Sequence, residues 1–257
     1  MELAPLQYLL SAAAGLVVGF SLGLVGGGGS ILAVPLLLYM VGLEKAPDAA
    51  HIAVGTTALA VGLNAYINSL IHLKKKNVDL KTGAVFAAAG LAGSAAGAYL
   101  GHVTPGTGLL ALFAVFMIAV GGSMALPTKS HRNAPRRSTP KTAAAGILVG
   151  FLSGYFGIGG GFLIVPTLMY VAGLEISKAV GTSLISVGTF GLATGLIYAL
   201  YGKTLVAIAA LYLIGGVAGG YLGAALALKT PRDTLKKIYS ALIIAVGIYI
   251  LYKSLGA

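Results

Sequence analysis

Long apolar stretches separated by short polar connections dominate the chain. They cover Leu6–Val25, Ile52–Leu73, Thr82–Leu100, Leu109–Leu126, Val180–Leu200, Leu205–Leu228 and Ile238–Tyr252. Each is near the length an α-helix needs to cross roughly 30 Å of hydrocarbon. Shorter apolar pieces, Ser30–Leu43, Ala143–Phe156 and Phe162–Leu174, each touch a glycine cluster. The pattern predicts an all-α polytopic membrane protein with about 8–10 membrane segments.

The pattern also repeats. Gly15–Glu44 reads GLVVGFSLGLVGGGGSILAVPLLLYMVGLE, and Gly146–Glu175 reads GILVGFLSGYFGIGGGFLIVPTLMYVAGLE, at an offset of 131. Five extra residues around Ala46–Ala50 reduce the offset to 126, which then holds to the end, so that AVGTT at Ala53–Thr57 meets AVGTS at Ala179–Ser183. The predicted organisation is a first transmembrane repeat over 1–128, a basic cytoplasmic linker over 129–141 and a second repeat over 142–257. A duplicated apolar chain with glycine-interrupted segments at matched places is the sequence mark of a secondary transporter.

Composition narrows the class. The 257 residues are 58% hydrophobic and 9% charged, too sparse in charge for a water-facing shell. The net charge of +11 lies in short loops and not on a basic aromatic face, so it reads as a topology signal and not as a nucleic-acid surface. Cysteine is absent, which removes disulfides, thiol chemistry and cysteine metal sites. Met1–Ala14 lacks the basic start of a cleaved leader, so Leu6–Val25 reads as the first membrane segment.

Charge then sets the expected topology. Three connections are strongly basic: Lys74–Lys81, Lys129–Lys141 and Lys229–Lys237. Even numbers of segments separate them, so all three fit the cytoplasmic side with both termini outside. Only Lys45, Lys203 and Lys253 of the 17 basic residues then lie outside. An odd number of crossings per half makes the two repeats inverted in the membrane.

The glycine breaks are the candidate site. Gly26, Gly27, Gly28, Gly29 and Ser30 form one, and Gly157, Ile158, Gly159, Gly160 and Gly161 the other. Each Gly costs a helix roughly 1 kcal/mol relative to Ala. Irregular backbone at membrane depth persists only when buried in protein or lining a wet cavity. A helix restarting after each break would offer free N–H groups and the positive end of its dipole to an anion. Pro35 and Pro166 lie early in the segments that follow. The alternative is that the glycines only allow tight helix crossing. No Lys-Ser/Thr follows them as a P-loop requires, and no strand–helix context supports a dinucleotide site.

Hydroxyls at Thr56, Thr57, Thr182 and Ser183 occupy matched positions and offer donors to an oxyanion, or bond back to their own helices. Asn64, whose repeat counterpart is Phe190, serves either packing or substrate. His51, His72, His102 and His131 fall at segment ends or in loops and read as interfacial, without metal-ligand spacing. The acids Glu2, Glu44, Asp48, Asp79, Glu175 and Asp233 are also placed in loops or at span ends. Cation pumps commonly keep a carboxylate in mid-membrane, so this placement favours an anionic substrate.

At these residues the chain resembles the TauE/SafE family of sulfite and organosulfonate exporters. The likeness rests on the paired glycine stretches running to a proline (Gly26–Pro35, Gly157–Pro166), the GLE turns, and the A-V-G-T-[ST] entry to the next span. The resemblance implies transport of a small sulfur-containing anion across the cytoplasmic membrane, with the lipid bilayer as partner and no cofactor, catalytic residue or metal. An anion channel of the same architecture is one alternative. A membrane-embedded enzyme is another, and it lacks a Ser/His/Asp set.

Overall fold

The fold is that of a computed structural model, which describes residues 4–74, 76–125, 138–157, 161–227 and 232–255. These residues hold ten α-helices and no strand. The first half comprises α1 (Pro5–Val25), α2 (Ala33–Pro35), α3 (Ala49–Lys74), α4 (Leu80–Val103) and α5 (Gly106–Ala125). The second half comprises α6 (Thr139–Phe156), α7 (Gly161–Tyr170), α8 (Ile176–Leu200), α9 (Val206–Ala227) and α10 (Arg232–Leu255). Six helices are long and apolar enough to cross a membrane: α1, α3, α4, α5, α8 and α9. The protein is thus a multi-pass membrane protein; six such helices stand against the 8–10 expected segments, and the expected Ser30–Leu43 segment is divided into short helical pieces.

The helices pair across the two halves. α1 packs on α9 and α4 on α6, while α3 packs on α8 and α5 on α10. Residues matched by the repeat make matched contacts. A Cβ on Gly19 would lie 1.9 Å from the Gly216 carbonyl oxygen, and one on Gly150 would lie 2.1 Å from that of Gly90. Gly223 meets the Phe20 carbonyl at 2.1 Å, and Gly97 meets that of Phe151 at 2.0 Å. Backbones this close exclude any side chain, so small residues decide where the helices cross.

α3 and α8 run antiparallel through the centre. Gly55 abuts Tyr198 and Lys203 at one end, Gly62 faces Gly191 in the middle, and Gly181 abuts His72 and Asn77 at the other end. The end where α3 begins and α8 finishes is called the upper end below.

The signals that end helices are also duplicated. Gly42 (φ 79°) and Gly173 (φ 66°) take left-handed turns before the two Leu-Glu pairs, as the matched GLE sequences lead one to expect. Gly157 (φ 67°) closes α6 in the same way. Asp79 caps α4 by accepting a 3.0 Å hydrogen bond from the Thr82 N–H.

Candidate functional site

The first glycine string departs from expectation. No long helix restarts after it. Gly26–Leu32 winds as a 3₁₀-helix directly from α1, a three-residue α2 follows, and Leu36–Met40 forms a π-turn that Val41 N closes onto Leu36 O at 3.1 Å. The segment returns along α1: a Cβ on Gly29 would sit 2.2 Å from Leu22 N, and Gln7 Nε2 donates to Val41 O at 3.4 Å. α1 and this segment therefore form a hairpin. Its 3₁₀ turns occupy some N–H groups that an open break would leave free. Pro35 has no N–H to return to the Ile31 carbonyl, a cause for the looser winding beyond it.

The second break starts at Gly157, where a Cβ would lie 2.2 Å from Val54 Cγ1 of α3. Ile158, Gly159 and Gly160 lie outside the described residues. Gly161 begins α7, a ten-residue helix that carries Pro166 inside it. α7 packs against Gly26–Leu32, so the structure brings the two interrupted segments together. Ser30, Ile31, Ala33 and Ile164 are wholly buried in this region. Among the residues whose side chains are described, no Asp, Glu, Lys or Arg is buried.

The four hydroxyls do not converge. Thr56 Oγ1 accepts a hydrogen bond from Leu205 N at 3.0 Å, at the upper end. Thr182 Oγ1 accepts one from Asp79 N at 2.9 Å, at the opposite end. With 1.5 Å of rise per residue along α3, these ends are about 25 Å apart. Thr57 donates to Ala53 O at 2.7 Å and Ser183 to Val180 O at 2.7 Å. The side-chain protons of Thr57 and Ser183 thus bond to their own helices.

Asn64 is buried and packs on Gly216 of α9, where a Cβ would approach its Nδ2 to 2.9 Å. Its Oδ1 accepts from Asn68 Nδ2 at 3.0 Å. The repeat counterpart Phe190 fills the equivalent place against Gly90. One half therefore puts an amide where the other puts a phenyl ring.

His51 lies in the first turn of α3, at a segment end as expected, but is packed inside the protein. His51 is 7% exposed, and its Nε2 lies 2.9 Å from Thr104 O. Its ring centroid is 5.9 Å from that of His102 and 6.3 Å from that of Tyr198. Lys203 and Asp48 form an ion pair between the two halves at this end. Lys203's ammonium, hydrogen-bonded to Asp48, holds that carboxyl below the usual carboxylate range. A second pair, Lys253 with Glu44, lies over the Tyr39 ring. The sequence signal for this corner was the insertion at Ala46–Ala50, which carries Asp48 and has no counterpart in the second half.

Comparison with known proteins follows this geometry. The family model described as "Sulfite exporter TauE/SafE" matches residues 11–250. A Xylella fastidiosa (strain Temecula1) protein named "Probable membrane transporter protein" is 42% identical over 253 residues, covering 96% of this chain and 95% of its own. The Bacillus subtilis "Probable membrane transporter protein YunE" is 28% identical over 271 residues, covering 97% and 99%. No solved structure matches the chain significantly.

Proposed function

We propose a carrier function on an established premise: this chain belongs to the sulfite exporter TauE/SafE family. It is a multi-pass membrane protein of a transporter family and not an enzyme. The proposed substrate is a small anion, sulfite or an organosulfonate, moved across the cytoplasmic membrane by alternating access. The single observation that carries this reading is the packing of the two interrupted segments, Gly26–Leu32 and α7, against each other inside a bundle. Irregular backbone where two repeats meet is where secondary transporters bind their cargo.

The proposed binding residues are the backbone N–H groups of Gly26–Ser30 and of Gly157–Gly161. Thr56 and Thr182 support the site from its two ends by holding the helices that follow. The absence of a buried carboxylate among the described residues supports an anion over a cation. The matched contacts of the two halves support inverted repeats, with the three basic connections in the cytoplasm. The close packing of the central segments supports a carrier over an open channel of the same architecture.

Thermal unfolding of the purified protein tests the reading. Sulfite and sulfoacetate are expected to stabilise it, and zwitterionic taurine less so. A ligand at a hundred times its Kd adds about 2.7 kcal/mol to the folded state. Gly28→Val and Gly159→Val are expected to abolish transport and to weaken the stabilisation while the protein still reaches the membrane. Stabilisation by organic cations or neutral solutes, with no response to any anion, contradicts the proposal.

A further inference from the structure

The upper end contains polar atoms that the carrier reading does not use. Tyr198 is wholly buried, and its hydroxyl has no hydrogen-bond partner. Nδ1 of His102 is buried and also lacks one. The two rings lie 5.8 Å apart, centroid to centroid, in an edge-on arrangement. Gly101 makes room for this: a Cβ there would come within 3.0 Å of Tyr198 Oη and 2.5 Å of Tyr155 O. A buried hydroxyl left unsatisfied costs about 1–3 kcal/mol, and two such atoms on adjoining rings ask for a shared polar guest.

The surroundings indicate the guest's charge. His51 of α3 faces His102 at 5.9 Å, and Tyr201, just past the end of α8, stacks on His102 at 3.9 Å. Tyr155 of α6 bonds Thr104 at 3.2 Å beside them. Lys203 and Asp48 pair with each other at the rim, so their charges offset. What remains is the Tyr198 phenol and the His102 imidazole, since His51 Nε2 is already held by Thr104 O. An imidazole that takes a proton donates from both ring nitrogens. The half-exposed Tyr201 opens the cluster to the surface.

We propose that Tyr198 Oη and His102 form a second, upper-end binding site for a small oxyanion. The site is separate from the glycine segments, and it rests on the carrier reading only for the class of anion. It would act as the station through which cargo passes between the central segments and one face of the membrane. The repeat counterpart of Tyr198 is His72, so the opposite end has no phenol at this position.

The chain has only 4 histidines, which suits NMR of the full-length protein in nanodiscs with isotope-labelled histidine. Single His→Gln variants assign the signals. Sodium sulfite, titrated against a sodium chloride control, is expected to shift the His102 and His51 resonances saturably and leave those of His72, at the opposite end, unmoved. Tyr198→Phe, which keeps the ring, is expected to weaken the response at least fivefold, whereas Gly28→Val leaves it intact. Unmoved His102 resonances in the wild type, or a Tyr198→Phe variant that titrates like wild type, overturn the proposal and leave a site for water only. A His102 response in a protein that transports no anion overturns the carrier reading instead.

Discussion

Thr56 and Thr182 make the same hydrogen bond at opposite ends of the bundle. Thr56 Oγ1 accepts from Leu205 N at 3.0 Å, and Thr182 Oγ1 accepts from Asp79 N at 2.9 Å. Leu205 directly precedes α9 and Asp79 directly precedes α4. Each threonine thus satisfies a backbone donor where the next helix of its pair begins, and it joins helices that the sequence places far apart.

Thr56→Val and Thr182→Val are therefore expected to destabilise the protein by about 1 kcal/mol each, the loss of a hydrogen bond to a part-buried N–H. Thr→Ser at either position keeps the acceptor and is expected to recover most of the loss. Thermal unfolding in detergent measures this. Valine variants that melt with wild type would show that water replaces the hydroxyl and that the bond is dispensable.

The glycine contacts lead to a second prediction. Gly19→Ala and Gly150→Ala place a methyl on the carbonyls of Gly216 and Gly90, so the helix pairs must separate. Overpacking of this kind costs about 1–3 kcal/mol or more. The two variants are expected to behave alike because they are repeat equivalents. Gly122→Ala is the control, since nothing lies within 4 Å of a Cβ there, and it is expected to be neutral or stabilising. Unequal losses from Gly19→Ala and Gly150→Ala argue against equivalent packing of the two halves.

These contacts show what the sequence made legible. Period, length and duplication located the helices, because apolar runs and glycine spacing are local properties. The GLE turns were readable because only a residue without a Cβ enters a left-handed turn at no cost, and Gly42 and Gly173 do so. The fate of Gly26–Gly29 was not readable. Propensity says that glycine weakens a helix, but it does not distinguish an open break from the 3₁₀ winding observed. The hydroxyl partners were hidden for another reason. Thr56 meets Leu205 only through the packing of α3 on the α8–α9 connection, and sequence spacing carries no trace of that contact. The same holds for His51 and His102, which tertiary packing brings together.

Asp48 provides a pH test. Its folded-state carboxyl is held below the ordinary range by the hydrogen bond and charge of Lys203. A depressed carboxylate pKa adds stability above the unfolded value of about 3.9, and that stability is lost as pH falls through the lower folded value. Wild type is therefore expected to exceed Asp48→Asn in melting temperature at neutral pH, and the gap is expected to close in that acid window. The pair is exposed, so the gap is expected to be small and to shrink in high salt. A gap that grows on acidification contradicts the pairing.

The last prediction concerns orientation. The upper end carries Lys203, Lys253 and Lys45, while Lys74, Lys76, Lys81, Lys141 and Lys178 lie at the opposite end. Basic residues accumulate on the cytoplasmic side of a membrane protein. The end richer in lysine and arginine is therefore expected to face the cytoplasm, and the Tyr198–His102 corner to face outside. The cysteine-free chain allows single-cysteine labelling without background. Cysteine at Lys75, Arg136 or Lys236 is expected to resist a membrane-impermeant reagent in intact cells, and cysteine at Lys203 to react with it. Lys75 and Lys236 belong to different halves, on connections matched in basic charge but not in sequence position. Protection of all three positions puts even numbers of crossings between them; with both termini outside, each half then crosses the membrane an odd number of times, which is what makes the repeats inverted. Labelling of any one of the three from outside would falsify that arrangement, even if the helix packing were unchanged.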